Sequence, residues 1–272
     1  MAIITISRGT FSGGKCLANC LATALGYRVI SRELLAEAAA RYGVKEANLQ
    51  RGLEQPPTFW DRFRIDRQIY LSVAQAALCH AVRDDNVVYH GNAGHLLLQD
   101  VGPVFRVRVI APIAQRLAAA VAAEGCSQDE AAASIAAKDE ARVAWTRFLY
   151  GVEWRDPALY DLVVNLEKLP LDAACAAIVE LVKRPEFTMT DEAHARLENL
   201  YLSSHVKAKL FLNPRIGAAA AKIDVAASGG VVRLSGVLPG ESFLHEVLST
   251  CRALPEVEDV QAEWLGSYVT PV

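Results

Sequence analysis

The sequence predicts an α/β fold, a parallel sheet covered by helices, followed by a small α+β domain. Three observations predict it. Short β-branched runs alternate with helical segments from Ile3 to about Lys183, the pattern of parallel strands joined by crossover helices. A glycine-rich segment, Gly9-Thr10-Phe11-Ser12-Gly13-Gly14-Lys15, separates the first strand from the first helix. After Arg184-Pro185-Glu186 the order changes to helix, two strands, helix and strand.

Each element has its own signal. Ile3 to Ser7 reads as a buried strand. Lys15 to Leu25 carries Leu17, Leu21, Ala24 and Leu25 at helical spacing and stops at Gly26. Tyr27 to Ile30 is a second strand, and Ser31 caps a helix beginning Arg32-Glu33-Leu34-Leu35. Pro56-Pro57 marks a loop, and a long amphipathic helix follows from roughly Asp61 to Val82. Strands are expected at Asn86 to Tyr89, Phe105 to Ile110 and Leu162 to Asn165. Pro112 starts one helix, Ser127-Gln128-Asp129-Glu130 is the capping box of another reaching about Phe148, and Asp172 opens a third ending near Lys183. Beyond the hinge come a helix from about Asp191 and a short alanine-rich helix after Asn213-Pro214. Strands Ile223 to Ala227 and Val231 to Leu238, a helix Glu241 to Leu254 and a strand Val257 to Leu265 complete the chain. The predicted domains are residues 1–184 and 188–272.

Composition narrows the function classes. The 272 residues are 52% hydrophobic and 22% charged, which supports a real core and argues against disorder. A net charge of -3 excludes a global basic field for nucleic acid. The six cysteines form no C-x-x-C pair and no zinc spacing, and Cys16 and Cys20 read as small packing residues. Dispersed thiols, no basic segment before Ile3 and no run long enough for a bilayer together lead us to expect a cytoplasmic protein.

The chemistry starts at Gly9-x-x-x-x-Gly14-Lys15, a phosphate-loop spacing. Its glycines let successive backbone N–H groups turn toward phosphate oxygens, and the following helix adds the positive end of its dipole. Gly9, Ser12, Gly13, Gly14, Lys15 and Cys16 are therefore the expected nucleotide-binding residues, with Lys15 the mobile cation for the β- and γ-phosphates of ATP. Cys16 stands where a hydroxyl often ligates Mg²⁺, and a thiol is a poor ligand for that ion. Mg²⁺ is thus expected through water, the nucleotide or a distant carboxylate, and its protein ligands stay unassigned.

These residues resemble the cytidylate kinase-like family, a branch of the nucleoside monophosphate kinases of the P-loop kinase fold. The resemblance covers about residues 1 to 183. It rests on Ile4-Thr5-Ile6-Ser7-Arg8, Ser12-Gly13-Gly14-Lys15, Leu25-Gly26-Tyr27, Ile30-Ser31-Arg32-Glu33-Leu34, Asn86-Val87-Val88-Tyr89-His90-Gly91, Arg106-Val107-Arg108-Val109-Ile110-Ala111-Pro112 with Arg116, Lys138-Asp139 with Arg142, and Trp154 through Asn165. The chain departs from the family at Asn92, where arginine is usual. The resemblance implies ATP-dependent phosphoryl transfer to a small acceptor, with a nucleoside monophosphate such as CMP in the lead. Residues 190 to 266 resemble a BON domain through Asn213-Pro214-Arg215, Ile223-Asp224-Val225, Gly230 to Gly236 and Leu254 to Val260.

Phosphoryl transfer needs cations that spread charge at the transferring group. Arg142 and Arg147 are the candidate lid arginines, with Arg116 an alternative, and a solvated helix face is the bland reading of each. Arg32 and Arg67 are candidates for the acceptor phosphate, since guanidinium binds phosphate in a bidentate way. Asp61, Asp66 and Asp139 could orient metal-bound water, without a specific signal. His90 suits a hydrogen-bonding role or packing, while Trp60, Trp145 and Trp154 read as core. Two non-enzymatic alternatives stand beside the kinase: a nucleotide-binding regulator, and an interaction protein acting through its C-terminal domain. The expected partners are a nucleotide and a small acceptor, with no nucleic acid. A ligand or protein partner for the second domain and a homo-oligomer are left open.

Overall fold

The computed structural model describes residues 2–31, 33–49, 65–91 and 93–267. Contacts divide the chain into two compact units. Of the described residues, the first holds 2–31, 33–34, 84–91 and 93–190, and the second holds 35–49, 65–83 and 191–267.

The first unit is built on five parallel strands: β1 (Ile3–Arg8), β2 (Arg28–Ile30), β3 (Val87–Tyr89), β4 (Val104–Ile110) and β5 (Leu162–Asn165), in the order β2-β3-β1-β4-β5. β1 lies at the centre, and Ile3, Ile4 and Ile6 are fully buried because β3 and β4 flank it and helices cover both faces. The chain leaves β1 toward β2, whereas the connection out of β3 crosses to β4 on the other side. The carboxyl ends of β1 and β3 therefore lie at the switch point where such sheets open a ligand crevice.

The helices of this unit are α1 (Gly14–Leu25), α4 (Gly94–Leu97), α5 (Ile113–Glu124), α6 (Gln128–Tyr150) and α7 (Leu171–Val182). Ser127 and Glu130 close the expected capping box on α6 in both directions. α1 and α7 pack side by side through Leu17, Leu21, Ala174 and Ile178. Their contact corrects the reading of the cysteines as dispersed thiols. Cys20 on α1 is bonded to Cys175 on α7, with Cα atoms 6.2 Å apart, while Cys16 is an exposed free thiol. No spacing rule links two cysteines 155 residues apart.

The second unit contains most of α2 (Glu33–Tyr42), then α3 (Ile65–Ala81), α8 (Asp191–Leu212) and α9 (Glu241–Arg252). Its sheet has the order β6 (Ile223–Ser228), β7 (Val231–Leu238), β8 (Asp259–Ser267), with β6–β7 antiparallel and β7–β8 parallel. One core joins Leu202, Val206 and Leu210 of α8 to Val232, Leu234 and Val247, with Ile69 of α3 packed against it. Helices α2 and α3, read from the sequence as part of residues 1–184, thus pack with the C-terminal elements.

Candidate functional site

β1 delivers the chain to the crevice, and the loop after it is shaped by two features. Gly13 takes φ 87°, a left-handed conformation open to glycine, and the loop closes with Ser12 N–H donating to Gly9 O at 3.1 Å. Ser12 Oγ donates to Gly9 O at 2.9 Å and Val109 O at 3.1 Å, which ties the loop to β4. α1 starts at Gly14, so its free N–H groups face the loop. Lys15 and Cys16, the next two residues, are exposed.

The start of the loop is gripped from α5 and α6. Asp139 Oδ1 accepts from Thr10 N–H at 3.0 Å and from Thr10 Oγ1 at 2.8 Å. Arg116 donates from Nε to Thr10 O at 2.7 Å and from a terminal nitrogen to Asp139 Oδ2 at 2.5 Å. Arg142 donates to Asp139 Oδ1 at 2.9 Å and Thr10 Oγ1 at 2.8 Å. Burial alone raises the Asp139 carboxyl. The Thr10 N–H and hydroxyl and the Arg116 guanidinium outweigh that and hold it below the ordinary carboxylate value. Gly9 belongs to this arrangement, since a Cβ there would lie 3.2 Å from the Arg116 guanidinium carbon.

Beside this network lies a pocket lined by Ser7, Arg8, Gly91, Ala93, Arg142, Trp145, Thr146 and Trp154. Trp154 is fixed over the end of β1: its indole N–H donates to Ser7 Oγ at 2.8 Å, and its carbonyl accepts from Tyr160 at 2.8 Å and Arg108 at 3.1 Å. The Arg108 guanidinium lies 4.2 Å from the Trp154 ring centre. His90, just past β3, is buried, and its Nδ1 has no hydrogen-bond partner among the described residues. Burial, aided by Arg8, pushes its pKa down to about 4, so the imidazole is neutral near neutral pH.

The structure therefore brings Gly9, Ser12, Gly13, Gly14, Lys15 and Cys16 into one loop and helix start, with Arg116 and Arg142 beside it. Arg147 is apart. It is exposed and paired with Glu153 at 2.5 Å, because a five-residue step on α6 turns it away from Arg142. The side chains of Arg32, Arg67, Trp60, Asp61 and Asp66, together with Asn92, lie outside the described residues. The sequence reading gave Asp139 no particular weight and did not single out Thr10, Arg108 or Trp154 as polar partners. Two signals pointed toward Asp139: its place in the Lys138-Asp139 segment that carries the resemblance, and its i, i+3 spacing from Arg142 on a helix.

The loop suits a nucleotide polyphosphate, offering backbone donors, a helix N-terminus and an exposed lysine. Among the described residues no three His, Cys, Asp or Glu side chains cluster to hold a metal ion. Exposed Cys16 at the start of α1 offers a thiol, a poor ligand for Mg²⁺, so an ion arriving with the nucleotide suits this loop better than one held by that side chain. Among the described residues no helix is long and apolar enough to cross a membrane.

Comparisons with known proteins found similar sequences and a shared fold. A cytidylate kinase from Ignicoccus hospitalis is 29% identical over 187 residues, spanning 68% of this chain and 98% of that protein. A cytidylate kinase from Thermococcus kodakarensis is 27% identical over 164 residues, 60% of this chain and 78% of its own. The crystal structure of an uncharacterized protein from Eubacterium ventriosum superposes with a TM-score of 0.51 at 20% identity, covering 68% of this chain and all of that one, which shows a shared fold. A profile of the cytidylate kinase-like family matches residues 3–168, more than half of the sequence, and the chain belongs to that family.

Proposed function

We propose that this protein transfers the γ-phosphoryl group of ATP to a nucleoside monophosphate, with CMP the leading acceptor. The observation that carries the reading is the convergence of the Gly9–Lys15 loop with Arg116 and Arg142 at one switch point of a parallel sheet. In this reading, backbone N–H groups of the loop and Lys15 bind the donor phosphates, and Arg142 adds positive charge beside the transferring group. Mg²⁺ arriving with the nucleotide would supply neutralisation of the β- and γ-phosphate charge. Trp154 and Trp145 form part of the wall of the neighbouring pocket. Residues 190–266 form a BON-like domain in the same reading, supported by the β6–β7 hairpin and the α9 crossover into β8.

A coupled ADP-release assay across CMP, dCMP, UMP, AMP and GMP tests the proposal, with ATP binding measured on the same proteins. Lys15→Ala is expected to weaken ATP binding and remove turnover. Arg142→Ala should lower kcat by about a hundredfold while ATP affinity changes by no more than a few fold. Arg147→Ala, whose partner is a surface glutamate, should leave kcat within about threefold of wild type. ATP binding by the wild type with no ADP release for any acceptor would discard the enzyme in favour of a nucleotide-binding regulator.

A further inference from the structure

We propose that Asp139 is a positioning residue of the phosphate site, which fixes the first turn of the phosphate loop and holds Arg116 and Arg142 ready beside it. The inference rests on the phosphoryl-transfer reading above and assigns the loop's geometry to a side chain 129 residues further along the chain.

An ordinary helix ion pair would satisfy Asp139 with Arg142 alone, three residues away on α6. Instead the carboxylate is buried and collects four donors, three of them from outside its own helix: Thr10 N–H, Thr10 hydroxyl and Arg116. The Thr10 backbone is held on both sides of its Cα, its N–H by Asp139 and its C=O by Arg116. The charge count matters as well. One carboxylate against two guanidinium groups orders both arginines and leaves one net positive charge at the site, so the arginines are fixed without being neutralised.

A second, apolar contact holds the same turn. Phe11 adopts φ 59°, a left-handed conformation unfavourable for a bulky residue. Its ring packs on the cluster of Ala120, Ala131 and Ile135 beside Leu117, between α5 and α6. Packing and the Thr10–Asp139 bonds together keep Phe11 in that conformation. The loop is thus preorganised by the helices that follow β4, and Asp139 is the polar link.

The test is a double-mutant cycle on the full-length protein. Its primary readouts are calorimetric titration with Mg²⁺-ATP and thermal unfolding without nucleotide. Asp139→Asn keeps the shape and removes the charge; Thr10→Val removes the hydroxyl that Asp139 and Arg142 share. We expect Asp139→Asn to weaken ATP binding about tenfold or more and Thr10→Val about fivefold. The double variant should stay within about threefold of Asp139→Asn, because the two residues act as one unit. The unliganded melting temperature should fall by only a few degrees. Asp139→Asn with near wild-type affinity, multiplying effects in the double variant, or an affinity loss that merely tracks loss of the folded state would each overturn the proposal. Should Asp139→Asn fail to fold, the pair Thr10→Val and Arg116→Lys carries the same expectations and the same overturning results. If the wild type binds ATP but phosphorylates no acceptor, the transfer reading fails, while the cycle in ATP affinity still decides the role of Asp139.

Discussion

At Gly14 the need for glycine is one of space. A Cβ there would lie 2.5 Å from Cδ and 2.8 Å from Cβ of Arg8, and the Cβ of Arg8 cannot swing aside without its backbone. Gly26 presents the opposite case, with φ 70° and open space around the missing Cβ. Gly14→Ala is therefore expected to cost about 1–3 kcal/mol through overpacking and to weaken ATP binding with it. Gly26→Ala should cost roughly 1 kcal/mol through its conformation and leave ATP binding unchanged. Thermal unfolding and calorimetric titration of the two variants check this, and equal ATP affinity in both would contradict it. The glycine positions were legible in the sequence because the loop spacing is local. The reason for Gly14 was not, because it depends on where the Arg8 side chain goes after β1 ends. The same limit hid the role of Asp139, whose partners Thr10 and Arg116 lie 129 and 23 residues away.

At the scale of elements, strands and helices followed their local patterns. β1, β4, β5, β6 and β7 lie within a residue of the spans read from β-branched runs, and α6 begins at its capping box. What the patterns could not give is which helices pair. In the second unit α2, α3 and α8 meet around an aromatic and polar cluster. Tyr42 hydroxyl and His205 Nδ1 are 2.6 Å apart, Tyr201 stacks on His205, and Arg83 makes a two-point ion pair with Glu198. Burial pushes the His205 pKa down to about 4, with Lys209 and Arg41 adding to the shift and Glu256 opposing it. The folded value lies below the unfolded value of about 6.5, so protons favour the unfolded chain. The stability held by neutral His205 is complete above that unfolded value and is lost as pH falls toward about 4. His90 and His95, lowered to about 4 and about 3, act in the same direction in the first unit. The melting temperature should therefore fall between pH 7 and pH 5. In His205→Gln, which keeps an acceptor for Tyr42, that fall should be smaller. A variant with the full wild-type pH dependence would show that His205 does not carry it.

At the scale of the whole molecule, the sequence suggested a cut near Arg184-Pro185, where strand–helix alternation ends. The packing draws the line differently, because the described residues 35–49 and 65–83 belong with residues 191–267. The physical reason is the apolar face of α3. Val73, Ala74, Ala76, Ala77 and Leu78 are buried there, and α3 packs closely on α8, which carries Leu197, Tyr201, Leu202, Val206 and Leu210 inward. No pattern within α3 says whether the following sheet or a helix more than a hundred residues later will cover that face. A fragment of residues 1–183 keeps α3 and loses α8, so it exposes a continuous apolar stripe of the kind that drives aggregation. It also strips Arg83 of its partner Glu198. We expect this fragment to be insoluble, or soluble with strong binding of a hydrophobic dye and without a cooperative thermal transition. Co-expression with residues 184–272 should restore solubility and ATP binding, since the missing helix then returns as a separate chain. A fragment 1–183 that is monomeric, melts cooperatively and binds ATP with full-length affinity would show that α3 does not depend on α8. A trans-complemented pair that stays insoluble would likewise show that loss of α8 is not what unfolds α3.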